Sequence, residues 1–315
     1  MQLEVDVQIL IVGAGACGLA AAIAAHDAGA SVPFIENLGR AGGNSSFCTG
    51  SIPAAGSKYQ AAAGIVDDPA RMVHDLLAIA GGTEEPELVH RMAEVSAPTV
   101  EWLIDELGAR MQLITAYKHV GHSVPRLHAP ISRRGQDLVD DLLSFAEARD
   151  IPIAVGNGAD RLIVEDGAVR GVIVKDGGAI CADKVILAVN GFAGNRALVE
   201  RFRPEIAGAA YFGALGSTGE AVTWGEQLGA GLSNMAAYQG YAAVAHPHGT
   251  LLSWTTIEKG GLVLNGGGRR FGDESAGYSG FAREVLAQGG FCLAVFDQRM
   301  FDIASQEEEF TELAS

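Results

Sequence analysis

Apolar and polar positions along the first 36 residues follow the order strand, helix, strand. Residues 5–12 form an apolar run typical of a buried parallel strand, and residues 16–29 form an alanine-rich helical stretch. Residues 31–36 predict a second strand. Pro33 cannot donate a ladder hydrogen bond, so this strand should be irregular. The pattern predicts a βαβ unit at the start of an α/β fold.

Two stretches with helical spacing follow. Residues 69–110 carry apolar positions at helical intervals, after the start signal Asp67-Asp68-Pro69. Residues 134–149 form a second amphipathic stretch. Both stretches are therefore predicted to be helical.

The period of the pattern shortens between residues 151 and 189, where short β-rich runs alternate with tight turns. Asp166-Gly167 and Asp176-Gly177-Gly178 separate successive runs and are typical hairpin turns. This predicts an antiparallel meander that returns to a buried strand at residues 184–189. A further helix is predicted over residues 219–230, and a mixed, glycine-rich pattern predicts a domain change near residue 238.

Composition places the chain among ordinary globular proteins. Its 315 residues, 48% hydrophobic and 19% charged, suffice for one large or two modest domains. The formal net charge is −16, and such an acidic surface repels phosphate backbones, so nucleic acid is not an expected partner. No basic leader and no apolar stretch of about 20 residues is visible, so we predict a cytoplasmic protein without direct membrane insertion.

The cysteines do not suggest a metal site. Cys17, Cys48, Cys181 and Cys292 are far apart in sequence, and no CxxC or Cys/His ligand spacing occurs. Structural zinc and iron–sulfur clusters are therefore not expected. Four reduced, mostly buried thiols are the simplest interpretation.

The loop after the first strand carries the clearest chemical signal. Its sequence, residues 13–18, has the spacing GxGxxG between an apolar strand and a helix. Gly13 permits the tight turn, Gly15 lets the backbone approach a pyrophosphate, and Gly18 lets helix and strand pack closely. The helix N-terminus attracts phosphates, and Glu36 at the end of the next strand can accept hydrogen bonds from ribose hydroxyls. This context predicts a dinucleotide site.

A second loop of small residues bears on which dinucleotide is bound. Residues 39–56 read GRAGGNSSFCTGSIPAAG and follow soon after the acidic strand end. An NAD-binding domain would normally proceed to another helix. A second small-residue loop suggests a longer cofactor whose pyrophosphate and flavin are wrapped by more backbone. The sequence therefore favours FAD.

With these motifs in order, the chain resembles the flavoprotein subunits of the fumarate reductase and succinate dehydrogenase family. The likeness includes VGAGACGLAAA, the GGNSS loop, the meander, VILAVNGFAGN, GSTGEAVTWGEQLGA, GGLVLNGGGRRFGDE and VFDQ. It implies a Rossmann-like FAD-binding domain over residues 1–238, with a parallel sheet and an antiparallel β-meander. It also implies an inserted, incomplete α+β capping domain over residues 239–315, which would close over the substrate.

The resemblance also implies which residues contact FAD. Membrane-bound members carry the flavin on a histidine of the second loop, and this loop has none, so non-covalent FAD is expected. Ala159 would lie beside the adenine, and Asn190 and Gly191 near the flavin. With both loops included, the predicted cofactor-binding residues are Gly13, Gly15, Ala16, Gly18, Glu36, Asn37, Gly42, Gly43, Asn44, Ser45, Ser46, Gly50, Ser51, Ala159, Asn190 and Gly191.

Family members exchange a hydride between flavin N5 and a C=C or CH–CH bond conjugated to a carboxylate or carbonyl. This chemistry needs cations that hold and polarise the conjugated group, and an acid/base on the opposite face. Arginine suits a carboxylate because it binds in a bidentate fork. The predicted substrate-binding residues are Arg126, His128, Arg133, Arg134 and His248.

Several positions depart from the family's catalytic pattern. His246 lies in a His-Pro pair like the family's Q-x-H-P-T, but the glutamine stands seven residues before it instead of two. Fumarate reductases place an arginine three residues after the counterpart of Glu274, where this chain has Gly277 followed by Tyr278. Arg299 lies two residues early for the family's proton-donating arginine. The predicted catalytic residues are Tyr278, Arg299, His246 and Glu274.

The favoured function is an FAD-dependent oxidoreductase with an enoate or enone substrate other than fumarate and an unidentified electron donor or acceptor. A ketosteroid dehydrogenase-like desaturase, suggested by Tyr278, is one alternative, and an L-aspartate oxidase is another. A non-catalytic FAD-binding fragment is the third. Family members run well beyond 315 residues, so the chain is expected to be C-terminally truncated or to take the missing half-site from another chain.

Overall fold

The computed structural model describes residues 6–305 apart from positions 83, 117, 243, 248, 250 and 251. The chain divides into two compact units. The first unit is drawn from Met1–Val199 and Tyr211–Asn234, and the second from Glu200–Ala210 and Met235–Ser315. One boundary between the units falls between residues 234 and 235, and a short earlier segment joins the second unit. The predicted FAD-binding domain over residues 1–238 and capping domain over residues 239–315 stay predictions.

The described residues form the following elements. The strands are β1 (Val7–Val12), β2 (Phe34–Glu36), β3 (Ile52–Pro53), β4 (Met111–Leu113), β5 (Leu127–Pro130), β6 (Ile153–Val155), β7 (Ala159–Glu165), β8 (Ala168–Val174), β9 (Ala179–Leu187), β10 (Leu262–Leu264) and β11 (Leu293–Val295). The helices are α1 (Ala16–Asp27), α2 (Lys58–Ala62), α3 (Pro69–Ala80), α4 (Pro86–Glu101), α5 (Gly135–Glu147), α6 (Arg196–Phe202), α7 (Glu220–Gln227), α8 (Thr255–Glu258), α9 (Gly277–Ala287) and α10 (Gln298–Ala304).

A six-stranded sheet in the order β6-β2-β1-β9-β8-β7 forms the centre of the first unit. The four strands β6, β2, β1 and β9 run parallel, and β9, β8 and β7 run antiparallel. Strand β9 belongs to both parts, because Ala179–Cys181 pairs with β8 while residues 182–187 pair with β1. The predicted parallel sheet with an antiparallel meander is confirmed.

Local sequence accounts for the element bounds. Asp166 and Gly167 have φ values of +51° and +74°, so both central positions of the β7–β8 turn are left-handed, as a tight hairpin turn requires. Helix α3 begins where the Asp68 side chain accepts a hydrogen bond from Arg71 N, and it ends at Gly81 with φ +68°. The predicted helical stretch 69–110 is therefore two helices, with a π-helical turn at Trp102–Glu106 after the second.

The two faces of the parallel sheet bury different apolar sets. Along β1, Ile11 packs with α1 and α5 on one face, whereas Leu10 and Val12 pack with the meander and Trp224 on the other. A parallel strand covered on both faces is expected to be continuously apolar, which agrees with the sequence of β1. Pro33 precedes β2, and its carbonyl still accepts a hydrogen bond from Ile11 N.

A separate three-stranded antiparallel sheet, β3-β5-β4, was not predicted. Its strands contain two to four residues and include Pro53 and Pro130, so they show neither the length nor the alternation that identifies a strand. This sheet changes the interpretation of two predicted site residues. His128 lies in β5 and Arg126 directly precedes it, within a fully buried segment.

The second unit combines a two-stranded sheet with helices. Strands β10 and β11 pair antiparallel, and helices α8 and α9 pack around a small core. The buried members of that core are Ala242, Trp254, Ile257, Val263 and Phe281. Within residues 6–305 as described, no helix combines the length and the apolar character that a bilayer crossing requires.

Candidate dinucleotide site

The loop between β1 and α1 is so tightly packed that two positions accept only glycine. A Cβ atom at Gly13 would lie 2.3 Å from the Ala188 carbonyl oxygen, and Gly13 has φ +106°. A Cβ at Gly18 would lie 1.9 Å from the Gly13 oxygen. At Gly15, by contrast, the nearest atom would be Ser45 Oγ at 3.5 Å, an ordinary contact. The protein leaves the space beside Gly15 open, and Gly15 lines a cavity.

Glu36 links the strand end to this loop. Its Oε2 accepts a hydrogen bond of 2.8 Å from Ala14 N, and its Oε1 accepts one of 2.7 Å from Leu38 N. The carboxylate is nearly buried yet borders the cavity. Each carboxylate oxygen can accept more than one hydrogen bond, so a ligand hydroxyl can still donate to it.

The second small-residue loop is attached to the first through backbone contacts. Gly42 N donates to Ala14 O at 2.9 Å, and the Ser45 hydroxyl accepts from Ala16 N at 3.1 Å. Gly42 has φ +124°, and a Cβ there would lie 2.0 Å from Ser46 Oγ. The two loops therefore form one continuous wall at the N-terminus of α1.

These loops border a cavity of about 370 Å³. Ten of the sixteen predicted cofactor residues line it: Gly13, Gly15, Glu36, Asn37, Gly42, Gly43, Asn44, Ser45, Ala159 and Asn190. The sequence pattern thus brings together residues from β1, β2, the second loop, the meander and the end of β9. All the lining residues belong to the first unit.

The remaining six predicted cofactor residues do not line this cavity. Ala16 N is taken by Ser45, and Gly18 packs against Gly13. A Cβ at Gly50 would lie 2.9 Å from Pro130, which places Gly50 against β5. The other three are Ser46, which borders a neighbouring pocket of about 170 Å³, Ser51, whose hydroxyl bonds Thr49, and Gly191, which is exposed.

Several lining residues were missed by sequence reasoning. Gly158 is required because a Cβ there would lie 2.7 Å from Asn37 Cβ, a contact between segments far apart in sequence. Ser217, Glu220 and Trp224 reach the cavity from α7 and the loop before it. The motif GSTGEAVTWGEQLGA contains all three residues, so it is the sequence signal that could have identified them.

Glu220 has an unusual position in the cavity wall. Its Oε1 accepts a hydrogen bond from the Thr218 hydroxyl. Its Oε2 is shielded from solvent, and in the described part of the chain no donor reaches it. A buried carboxylate oxygen without a partner costs free energy, so a ligand hydroxyl or N–H in the cavity would satisfy it.

Asn190 supplies a further polar group at the end of β9. It adopts a left-handed conformation with φ +66°, which asparagine tolerates better than most residues. Its Nδ2 donates to Ser217 Oγ at 3.0 Å, and its Oδ1 accepts from Gly191 N at 2.8 Å. These contacts hold its side chain at the cavity border.

The surroundings of Arg126 favour a structural role over the predicted one of substrate clamp. Its guanidinium is completely buried, and it donates to both oxygens of Asp67 at 2.7 and 2.8 Å and to Asp75 Oδ2 at 2.6 Å. Burial opposes ionisation of Asp75, but hydrogen bonds from Ser123 and Arg126 outweigh it and hold the pKa of Asp75 far below its usual range. The cluster of Arg126, Asp67 and Asp75, called here the buried triad, connects α3 to β5.

His128 is likewise buried and has internal partners, which favours a structural role over the predicted substrate-binding one. Its Nε2 lies 2.9 Å from Ser57 Oγ, and its Nδ1 lies 2.9 Å from the Arg126 carbonyl oxygen. Burial lowers the pKa of His128, which favours the neutral ring. The relation to Ser57 is not a catalytic dyad, because both side chains are inaccessible.

Arg133 and Arg134 lie at the start of α5. Arg133 has φ +59° and is half-buried, whereas Arg134 is exposed. Neither residue lines the cavity. Their predicted role toward a substrate stays a prediction, and His248 lies outside the described residues.

The predicted catalytic residues all belong to the second unit. Glu274 is buried, and its carboxylate pairs with Arg270 at 2.5 Å and accepts from Val263 N at 3.1 Å. The hydrogen bond from Arg270 lowers the pKa of Glu274, so this carboxylate is a poor proton donor. This geometry favours a structural role for Glu274 over the predicted catalytic one.

The other three residues are more accessible. Tyr278 is half-buried, and its ring centroid lies 4.6 Å from that of Tyr241. His246 is exposed beside Phe291, with 6.2 Å between the ring centroids. Arg299 is exposed on α10. Their predicted roles in catalysis stay predictions.

The fold and the cavity define an α/β dinucleotide-binding protein. No cluster of three or more histidine, cysteine, aspartate or glutamate side chains suited to a metal occurs within the part of the chain that the structure describes. The sequence matches the FAD binding domain family over residues 8–296. The chain belongs to this family, and its cofactor is FAD.

Individual relatives agree with this family. The chain is 29% identical over 316 residues to the probable fumarate reductase Ifc3 of Shewanella frigidimarina, covering 97% of this chain and 53% of that protein. It is 29% identical over 282 residues to the urocanate reductase of Eggerthella lenta, covering 86% and 46%. Among solved structures, the open conformation of a flavocytochrome c3 fumarate reductase superposes with a TM-score of 0.87 at 28% identity, covering 98% and 56%. The chain thus spans about half the length of the curated relatives it matches.

The cavity fits FAD on three grounds. The open side of Gly15 at the N-terminus of α1 suits a pyrophosphate. Glu36 offers acceptors where the first ribose is expected. The unpartnered Oε2 of Glu220 requires a hydrogen-bond donor, and the ribityl hydroxyls of FAD are such donors.

Proposed function

We propose that this chain is the flavin-binding part of an oxidoreductase that reduces a C=C bond conjugated to a carboxylate or carbonyl. The observation that carries the proposal is the glycine-walled cavity at the N-terminus of α1, in a chain similar along nearly its whole length to enzymes named for reducing fumarate and urocanate. Fumarate and urocanate are both α,β-unsaturated carboxylates. The shared chemistry therefore supports an enoate or enone substrate class more strongly than any single substrate.

Residues of the first unit would hold the cofactor. Backbone N–H groups around Gly15 would face the pyrophosphate, and Glu36 with Asn37 would face the adenosine. Asn44 and Asn190 would border the flavin. When bound and reduced by the electron donor, FAD would supply a hydride from N5. The absence of a histidine in the second loop supports a non-covalent attachment.

The substrate side is proposed from accessible cations and one phenol. Arg134 at the start of α5 and Arg299 on α10 are exposed, so either can bind a carboxylate in bidentate fashion. Tyr278 is the candidate acid/base in the second unit, because Glu274 is held in an ion pair. A cytoplasmic location and a separate electron donor are also part of this proposal.

The proposal is tested with the purified chain under anaerobic conditions. A flavin band near ~450 nm that acid precipitation releases would establish non-covalent FAD. The flavin is then reduced chemically and mixed with fumarate, urocanate or 2-cyclohexenone, with succinate as the saturated control. The proposal is supported if the oxidised band reappears with an unsaturated acid or ketone but not with succinate. Reduced flavin that stays reduced with every acceptor contradicts it and favours a non-catalytic FAD-binding fragment.

A ketosteroid dehydrogenase-like desaturase is the second candidate. The observation that favours it is the tyrosine pair, in which Tyr241 and Tyr278 have ring centroids 4.6 Å apart and an interplanar angle of 32°. A desaturase would bleach its oxidised flavin when a saturated 3-ketosteroid is added without oxygen. Tyr278→Phe would abolish that bleaching while leaving FAD bound.

A further inference from the structure

Lys175 makes a contact at the end of the cavity where the proposed function places the adenosine. Its Nζ lies 2.7 Å from Asn37 Oδ1. Asn37 follows Glu36 at the end of β2 and lines the cavity, whereas Lys175 follows β8 and is exposed to solvent. Nothing in the sequence pattern had assigned a role to Lys175.

The geometry around this contact is built from three segments. Lys175 N donates to Gly158 O at 3.0 Å, which holds the end of β8 against the segment before β7. Asn157 N donates to Glu36 O at 3.2 Å, which holds that same segment against β2. A Cβ at Gly158 would lie 2.7 Å from Asn37 Cβ, so the absence of a side chain there makes room for Asn37. The lysine therefore reaches Asn37 from a fixed backbone position.

The contact determines the orientation of the Asn37 amide. An ammonium group has three donors and no acceptor, so the atom facing it must be the amide oxygen. The NH₂ group of Asn37 then keeps its two donors. Within the described residues, Asn37 Nδ2 makes no hydrogen bond to the protein, and Asn37 borders the cavity. A ligand in the cavity would therefore meet a donor at Asn37 next to an acceptor at Glu36.

An adenosine matches this neighbouring donor and acceptor. Its ribose hydroxyls can donate to the Glu36 carboxylate, and its ring oxygen or adenine N3 can accept from Asn37 Nδ2. We propose that Lys175 is a positioning residue for the adenosine half of FAD, which acts by holding the Asn37 amide with its NH₂ group toward the ligand. This inference rests on the proposed placement of FAD in the cavity.

The test compares ligands that carry different halves of FAD. The whole chain is freed of FAD by dialysis against potassium bromide, and dissociation constants are measured for FAD, ADP and FMN. The variants are Lys175→Met, Lys175→Arg and Asn37→Asp, with Lys184→Met as the matched control because Lys184 is an exposed lysine on β9. Thermal unfolding of each apoprotein checks that the variants are folded.

Lys175→Met is expected to raise the dissociation constants of FAD and ADP equally, each about tenfold, because one oriented hydrogen bond to the ligand is lost. FMN affinity and the Lys184→Met variant should stay unchanged, and Lys175→Arg should restore most of the affinity. Asn37→Asp keeps a partner for Lys175 but removes the NH₂ donor, so it should weaken ADP binding as much as Lys175→Met does.

Two outcomes would overturn the inference while leaving the proposed function intact. These are unchanged ADP affinity in Lys175→Met, and full ADP affinity in Asn37→Asp. An unaltered chain that binds FMN but not ADP would overturn the placement of adenosine in this cavity, and with it the role of Lys175. A chain that binds none of the three would overturn the proposed function itself.

Discussion

Gly13 and Gly29 both have positive φ values, of +106° and +89°, but their surroundings differ. A Cβ at Gly13 would overlap the Ala188 carbonyl, whereas nothing lies within 4 Å of the corresponding position at Gly29. Gly29→Ala should lower the free energy of unfolding by only about 1–2 kcal/mol, which is the cost of holding an alanine in the left-handed conformation. Gly13→Ala should cost distinctly more and abolish FAD binding, because the loop must move. Urea unfolding and FAD titration of both variants check this, and equal losses would contradict it.

His128 makes a pH-dependent contribution to stability. Burial lowers its pKa in the folded chain, so between that value and about 6.5, the usual pKa of histidine, the unfolded chain binds more protons than the folded one. Stability is therefore full above about pH 6.5 and falls as the pH drops toward the folded pKa. His128→Gln should reduce the slope of unfolding free energy against pH in this window. His122 shifts in the same direction, so part of the slope should persist. An unchanged slope in the variant would contradict the assignment.

At this scale the sequence predicts well the residues whose role depends on their immediate neighbours. Gly13 and Gly15 belong to one short motif, Glu36 ends the next strand of the same βαβ unit, and all three line the cavity. Gly158 was missed because its requirement comes from Asn37, and no local pattern records that contact. The acidic partners of Arg126 could not be identified from the sequence, because they lie 51 and 59 residues earlier in the chain.

The packing of α3 against β5 depends on buried charge for its stability, because the buried triad joins these two elements. Arg126→Met would leave Asp67 and Asp75 without their cation, and breaking a buried pair in this way costs about 3–5 kcal/mol. Denaturant unfolding should show that loss. Arg110→Met is the matched control, because the guanidinium it removes is exposed and Asp141 keeps its hydrogen bond from Arg110 N, so stability should change little.

Adding Asp67→Leu and Asp75→Leu to Arg126→Met should recover most of the lost stability, since apolar residues often replace a buried ion pair well. If the triple variant were as unstable as Arg126→Met alone, the cost would lie in packing and not in the uncompensated charges.

Long elements were easier to predict than short ones. The βαβ unit, the meander and helices α5 and α7 have strong periodicity or well-marked turns, and the structure reproduces them within a few residues. Strands β3, β4 and β5 have four residues or fewer, so their pairing is decided by tertiary contacts that periodicity does not record. The end of α3 was signalled by Gly81-Gly82, but the apolar spacing continues on both sides of that break.

For the whole molecule, the cavity belongs to one of the two compact units, so FAD should stabilise them unequally. Every lining residue lies in the first unit. Saturation at about 100 times the dissociation constant adds about 2.7 kcal/mol to whichever cooperative unit binds. Trp224 reports on the first unit and Trp254 on the second. In single-tryptophan variants, FAD should raise the unfolding midpoint seen by Trp224 more than that seen by Trp254. Equal shifts would indicate that the chain unfolds as one cooperative unit.

Glu36 carries a consequence for attempts to change the cofactor preference. The acidic residue at the end of the second strand is an obvious position at which to change the nucleotide preference, because it faces the ribose. Here the same carboxylate holds Ala14 N in the phosphate loop and Leu38 N beyond the strand. A substitution of Glu36 that allows a new nucleotide to bind therefore also removes the hydrogen bond that holds the phosphate-binding loop at Ala14. Such a redesign, or the same change in evolution, has to supply a new anchor for Ala14 before it can select a new ligand.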